Sequence, residues 1–155
     1  ATQGTVTSCA YEDAFAAAPD LDLITQACPR FVEFVENGVV SGREVLDVAE
    51  EYLAPVREAE GDTLVLGCTH YPMLAAPISY LMGPDVTLVS SAEETALDVF
   101  RQLHAADALR ESVRSPRHVF SQTADGIGSE HFALLSRRFL GPTLDMTGSL
   151  PVVSA

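Results

Sequence analysis

Apolar positions along the chain recur with two different periods. Thr63-Leu64-Val65-Leu66 and Val86-Thr87-Leu88-Val89 are short, nearly unbroken apolar runs, the pattern of strands buried on both faces. Leu21, Leu23, Thr25 and Ala27 alternate instead and predict a further strand, closed by Cys28-Pro29; His118-Val119-Phe120-Ser121 predicts another. Helical spacing fills the intervals. It joins Ala10, Tyr11, Ala14, Phe15 and Ala18, and then Phe31, Phe34 and Val35 up to Asn37-Gly38. The longest stripe is Val45, Leu46, Val48, Ala49, Tyr52, Leu53, Val56 and Ala59. Pro72 to Met82, the Ala96–Leu103 stretch, and Phe132, Leu135 and Phe139 before Gly141-Pro142 complete the series. Strands that alternate with helices predict an α/β fold: a parallel sheet covered by helices.

Polar residues punctuate this pattern. The hydroxyl-rich Thr2-Gln3-Gly4-Thr5-Val6-Thr7-Ser8 reads as a lead-in that caps the first helix or lines an anion site at its start. Ser41-Gly42-Arg43-Glu44 and Ser91-Ala92-Glu93-Glu94 have capping-box spacing. Pro55 is expected to kink or split the helix behind the first box. Asp47, Glu50 and Glu51 form its wet side. Residues 110–117 read as a linker, and Thr123 to Gly128 as a glycine-containing loop. No internal repeat and no low-complexity segment occur.

Composition narrows the function classes. The 155 residues fit one domain or one domain plus part of another. A net charge of −13 argues against direct nucleic-acid binding, which needs a basic footprint. An anionic ligand must therefore be held by local dipoles. All nine basic residues are arginine, which rules out a pyridoxal Schiff base or a P-loop lysine within this chain. No apolar run is long enough to span a bilayer and no secretion signal is visible, so a cytoplasmic protein is expected. Cys9, Cys28 and Cys68 are then expected as reduced thiols.

Chemistry concentrates where the central strand ends, in Gly67-Cys68-Thr69-His70-Tyr71-Pro72. Ligands of open α/β sheets bind at the carboxyl ends of strands, where helix starts present N–H groups. Cys68 and His70 lie two apart and share a face if the chain stays extended. Three uses fit: a thiol acid/base tuned by imidazole, a Cys–His nucleophile for acyl transfer, or half a metal site. The last lacks partners, since no CxxC or HxxxH spacing occurs. A small buried cysteine is the plain structural alternative. Glu36 by itself reads as a solvated carboxylate, and His104, His118 and His131 as surface or packing residues.

Asp62 to Pro72, with Gly67-Cys68-Thr69-His70-Tyr71-Pro72 at its centre, resembles the second cysteine signature of glutamate racemases, in the cofactor-independent aspartate/glutamate racemase superfamily. Ala1 to Ser8 resembles the family's Gly-Thr-x-Ala-Thr-x-x-Ser segment. Cys28-Pro29-Arg30-Phe31-Val32-Glu33-Phe34-Val35-Glu36-Asn37-Gly38 resembles its Cys-Pro-x-Phe-Val-x-x-Val-Glu-x-Gly stretch. Val89 to Ala96 and Arg138-Phe139-Leu140-Gly141 also fit, so the likeness runs from residue 1 to about 141. Ala1, Gly4 and Glu33 depart from the family pattern, where Gly, Ala and Pro are usual.

The resemblance implies interconversion of L- and D-glutamate for peptidoglycan synthesis. Two cysteines exchange the α-proton from opposite faces, with no pyridoxal phosphate and no metal. It implies Cys68 as one acid/base, with His70 and Glu36 assisting, and Thr69, Thr2 and Thr5 binding substrate. It also implies a two-lobed fold. Residues 1–90 would form the second lobe, 91–141 would return to the first lobe, and 142–155 would be an irregular tail. The first half of the family pattern, with the other cysteine, has no match here. The chain is therefore expected to need that half as a partner, to racemise poorly alone, and to have surfaces for self-association as a homodimer. Two other functions stand beside this one: a Cys–His hydrolase or amidase, and a non-catalytic binding half.

Overall fold

The computed structural model describes residues 1–111 and 134–137. The chain divides into two compact units, Ala1–Ala108 and Leu109–Ala155. The first carries α1 (Gln3–Thr7), α2 (Ala10–Phe15), α3 (Pro29–Glu36), α4 (Arg43–Glu58), β1 (Thr63–Leu66), α5 (Ala75–Met82), β2 (Thr87–Ser90) and α6 (Ser91–Ala105). In the second, residues 134–137 are helical, inside the stretch expected to form the last helix. The expected linker beyond residue 111, the strand at 118–121, the 123–128 loop and the tail lie outside the described residues.

β1 and β2 pair in parallel, with Thr63 opposite Thr87 and Leu66 opposite Ser90. The crossover between them contains α5, as a parallel connection requires. Thus the described sheet is parallel, small and helix-covered. Its core is built from α3, α4 and α5: Phe31, Val45, Leu74 and Ile78 are almost wholly buried. The α4 stripe faces this core through Val45, Val48, Ala49, Leu53 and Val56, while Asp47, Glu50 and Glu51 stay exposed. Phe31 meets Tyr52 and Tyr71 edge-on, with ring centroids 5.4 and 5.3 Å away. That geometry suits the ring quadrupoles.

Several local expectations are corrected. The hydroxyl-rich lead-in is itself helical: Thr2 caps α1, its side chain accepting from the N–H of Thr5. Cys9, in the left-handed region at φ 53°, then separates α1 from α2. Residues 21–27 do not form a ladder. Leu21, Leu23 and Ile24 are exposed, and the N–H groups of 22–25 find no backbone partner among the described residues. Alternation alone makes no strand without an edge to pair with. Neither capping box closes as spaced. α4 starts at Gly42, whose φ of 109° is costly for any other residue, without a side-chain cap. α6 is capped by Ser90, whose side chain accepts from the N–H of Glu93. Ser91 instead donates to the carbonyl of Leu66 (3.2 Å), tying the start of α6 to the end of β1. Pro55 does not split α4: it lies at the start of the last turn, and the helix runs on to Glu58. The helix expected from Pro72 begins as a 3₁₀ turn, Tyr71–Leu74, and becomes α5 at Ala75.

Candidate active site

β1 ends at Leu66, and the next two residues turn tightly. The N–H of Gly67 donates to Val65 O (3.0 Å) and that of Cys68 to Leu66 O (2.9 Å). Gly67 is required by space. A Cβ there would lie 2.4 Å from the Tyr11 hydroxyl and 3.0 Å from its ring. Gly67→Ala is expected to displace Tyr11 and cost about 1 kcal/mol in denaturant unfolding, the low end for overpacking because a side-chain tip can yield.

Cys68 is half-buried at the mouth of this turn. Its Sγ lies 3.9 Å from His70 Nδ1. Thr69 Oγ1 approaches the same nitrogen at 3.3 Å. The other ring nitrogen, Nε2, is 2.6 Å from Glu36 Oε1. Glu36 is the last residue of α3, so the carboxylate comes from 34 positions away in sequence. A line Glu36–His70–Cys68 results. A carboxylate accepts the Nε2–H, which fixes the tautomer and turns the Nδ1 lone pair towards sulfur. The structure therefore brings Cys68, His70, Glu36 and Thr69 together. Thr2 and Thr5 form their own pair, hydroxyl to hydroxyl at 2.8 Å. They reach the turn through Ala1, whose carbonyl accepts from the Tyr71 hydroxyl at 2.7 Å.

Tyr71 is the residue that sequence reasoning missed. Its hydroxyl points at two carbonyls, Ala1 O and Cys28 O (3.0 Å). Cys28 caps the start of α3, and Glu36 closes its end. Adjacent side chains, His70 and Tyr71, thus fasten α3 at both ends. Spacing carried no sign of this, because an aromatic after His reads as packing. Tyr71→Phe is expected to lower stability by about 1 kcal/mol in denaturant unfolding, the net worth of one hydrogen bond. The loss stays small because both carbonyls keep a second donor, Cys28 N–H for one and Phe31 N–H for the other.

The three thiols are chemically distinct. Cys28 is 5% exposed. Burial pushes its thiol up from 9.0 to about 11, against a smaller opposing pull from the chain's amino terminus. Cys9 is exposed. Iodoacetamide at pH 8 is therefore expected to label Cys9 and Cys68 and to leave Cys28 untouched, as read by peptide mass. The same shift sets a sign for stability. Below pH 9 the thiol is neutral in both folded and unfolded chains, and its contribution is full. From pH 9 to about 11 only the unfolded chain loses the proton, so stability falls over that window. Among the described residues no cluster of three or more His, Cys, Asp or Glu has metal-binding geometry, and no helix is long and apolar enough to cross a membrane.

No protein-family model matches the chain. Individual relatives do. Glutamate racemase of Saccharopolyspora erythraea is 57% identical over 143 residues, 92% of this chain and 52% of that protein. Glutamate racemase of Beutenbergia cavernae is 55% identical over 170 residues, 99% of this chain and 57% of that protein. In three dimensions, the crystal structure of glutamate racemase from Francisella tularensis in complex with D-glutamate matches with a TM-score of 0.82 and 28% identity. It covers 99% of this chain and 56% of the other. By sequence and by fold, the chain is a homologue of the glutamate racemases that spans about half the length of the full enzymes.

Proposed function

We propose that the chain is the Cys68-bearing half of a glutamate racemase and supplies one of two acid/base groups that exchange the α-proton of glutamate. The observation that carries this reading is the Glu36–His70–Cys68 line at the carboxyl end of β1. The D-glutamate in the Francisella relative supports the substrate class. His70 Nδ1 takes the thiol proton, and Glu36 offsets the imidazolium charge. The Cys68 thiolate then breaks the Cα–H bond. The proton moves to sulfur, and the electron pair stays on Cα and spreads into the α-carboxylate. A second acid on the opposite face, from the half this chain does not span, delivers a proton to Cα. In the reverse direction the Cys68 thiol is the donor. Hydroxyls of Thr69, Thr2 and Thr5 hold the substrate, so that developing charge meets fixed dipoles. D-glutamate made this way feeds peptidoglycan, and the setting is cytoplasmic.

A Cys–His hydrolase is less well served. Its oxyanion needs N–H donors at the nucleophile, and the N–H of Cys68 is taken by Leu66 O. The decisive experiment joins the unmatched amino-terminal half of the Saccharopolyspora enzyme in frame to Ala1. Incubation with L- or D-glutamate in deuterium oxide is expected to replace the α-proton with deuterium, seen by NMR. The chain by itself is expected to show little exchange. A folded chimera that leaves the α-proton in place overturns the reading. So does rapid interconversion by the chain alone with Cys68 required.

A further inference from the structure

Two adjacent serines stand at the start of α6 with different partners. Ser90 caps the helix, accepting from the N–H of Glu93 at 3.4 Å. Ser91 turns the other way and donates to Leu66 O at 3.2 Å, 25 residues back in the chain. The ladder explains why a hydroxyl falls there. The N–H of Thr87 donates to Asp62 O at 2.8 Å. Donors on one strand of a parallel pair recur at every second residue. The register therefore puts residue 89 in line for Leu64 O and residue 91 in line for Leu66 O. But α6 begins at Ser91, so the backbone leaves the ladder and the side chain fills the place.

Leu66 O has a second donor, the N–H of Cys68 at 2.9 Å. That bond closes over two residues, in the γ-turn pattern. It shapes the turn but cannot fix the turn against the rest of the sheet. Ser91 does so, because it bonds the same carbonyl from another element. The thiol depends on such a fix. Cys68 Sγ lies 3.9 Å from His70 Nδ1, a long contact that a small shift of the turn breaks. We propose that Ser91 is a positioning residue for Cys68: its hydroxyl holds the carbonyl that accepts the Cys68 N–H, and so keeps the sulfur against His70. It acts through Leu66 and Cys68, not on the substrate. The assignment rests on the racemase reading above, because it concerns the geometry of the same thiol.

The test sets the two serines against each other. In the full chain, site-resolved amide hydrogen exchange at neutral pH is expected to run about fivefold faster at Cys68 in Ser91→Ala, the worth of one hydrogen bond. Unchanged α4 amides show that the fold is intact. Ser91→Thr keeps the hydroxyl and is expected to retain the parent rate. Ser90→Ala removes the helix cap and is expected to loosen the first turn of α6 while leaving the Cys68 amide as it was. In the two-half chimera, Ser91→Ala is expected to lower kcat for α-proton exchange by about tenfold with KM within about twofold, the mark of a displaced reacting group. Ser91→Thr and Ser90→Ala are expected to keep the parent kcat. An unchanged Cys68 amide rate in Ser91→Ala overturns the proposal. So does a kcat loss that Ser90→Ala matches, which makes the effect one of helix stability. So does an unchanged kcat in Ser91→Ala beside faster amide exchange. A parent chimera that leaves the α-proton in place overturns the racemase reading instead, and amide exchange in the chain alone still decides whether Ser91 holds the Cys68 turn.

Discussion

Cys68→Ala in the two-half enzyme is expected to slow α-proton exchange on glutamate by roughly 10³- to 10⁴-fold, the upper part of the range for losing a general acid/base. The argument rests on what else could take the proton. His70 Nδ1 is held behind the sulfur by the Glu36 contact at Nε2. Thr69 offers only a hydroxyl, too weak a base at neutral pH. Cys28 is buried and its thiol is pushed up to about 11, so it cannot substitute. Cys68→Ser keeps the shape and tests acidity alone; it is expected to be nearly as inactive as the alanine form. Neither change touches the α3–α4–α5 core, so unfolding midpoints should stay close to the parent. Deuterium wash-in followed by NMR reads the rate. Exchange above a tenth of the parent rate in the alanine form would remove Cys68 from the reaction.

The parts of this fold that could be read from sequence are those where one signal sufficed. The apolar run 63–66 became β1, the run 86–89 became its parallel partner shifted by one residue to 87–90, and the stripe on 43–58 became the core face of α4. What sequence concealed needed a partner to decide. Alternation at 21–27 predicted a strand, but a strand is defined by its ladder, and among the described residues only Ala1 supplies a rung. The capping boxes failed by one residue: α4 starts at Gly42 with no side-chain cap, and at α6 two adjacent serines compete for the same turn. Ser90 took the N–H of Glu93, which freed Ser91 to bond Leu66 O.

The site divides in the same way. Cys68 and His70 announced themselves by following a strand and a glycine. Glu36 did not: by itself it was a surface carboxylate, and only the resemblance to the racemases singled it out. Its role depends on the length and direction of α3, which no local pattern encodes. Tyr71 carried no chemical signal at all, since its two carbonyl partners lie 70 and 43 residues away.

His70→Ala should separate a working relay from mere proximity. In the two-half enzyme it is expected to lower kcat by about 10²- to 10³-fold, because the thiol loses its proton acceptor while keeping its position. KM should change little, since the Thr2 and Thr5 hydroxyls proposed to hold substrate keep their own pairing. Glu36→Gln is expected to cost about tenfold. The amide still reaches Nε2, but it cannot offset an imidazolium charge, and a turned amide that donates would force the proton onto Nδ1, facing sulfur. The two changes should not multiply. Glu36 acts on Cys68 through His70, so Glu36→Gln in the His70→Ala background should add almost nothing. Full additivity in that cycle would show that Glu36 contributes by some route other than the imidazole, and the relay would have to be abandoned even if Cys68 remains essential.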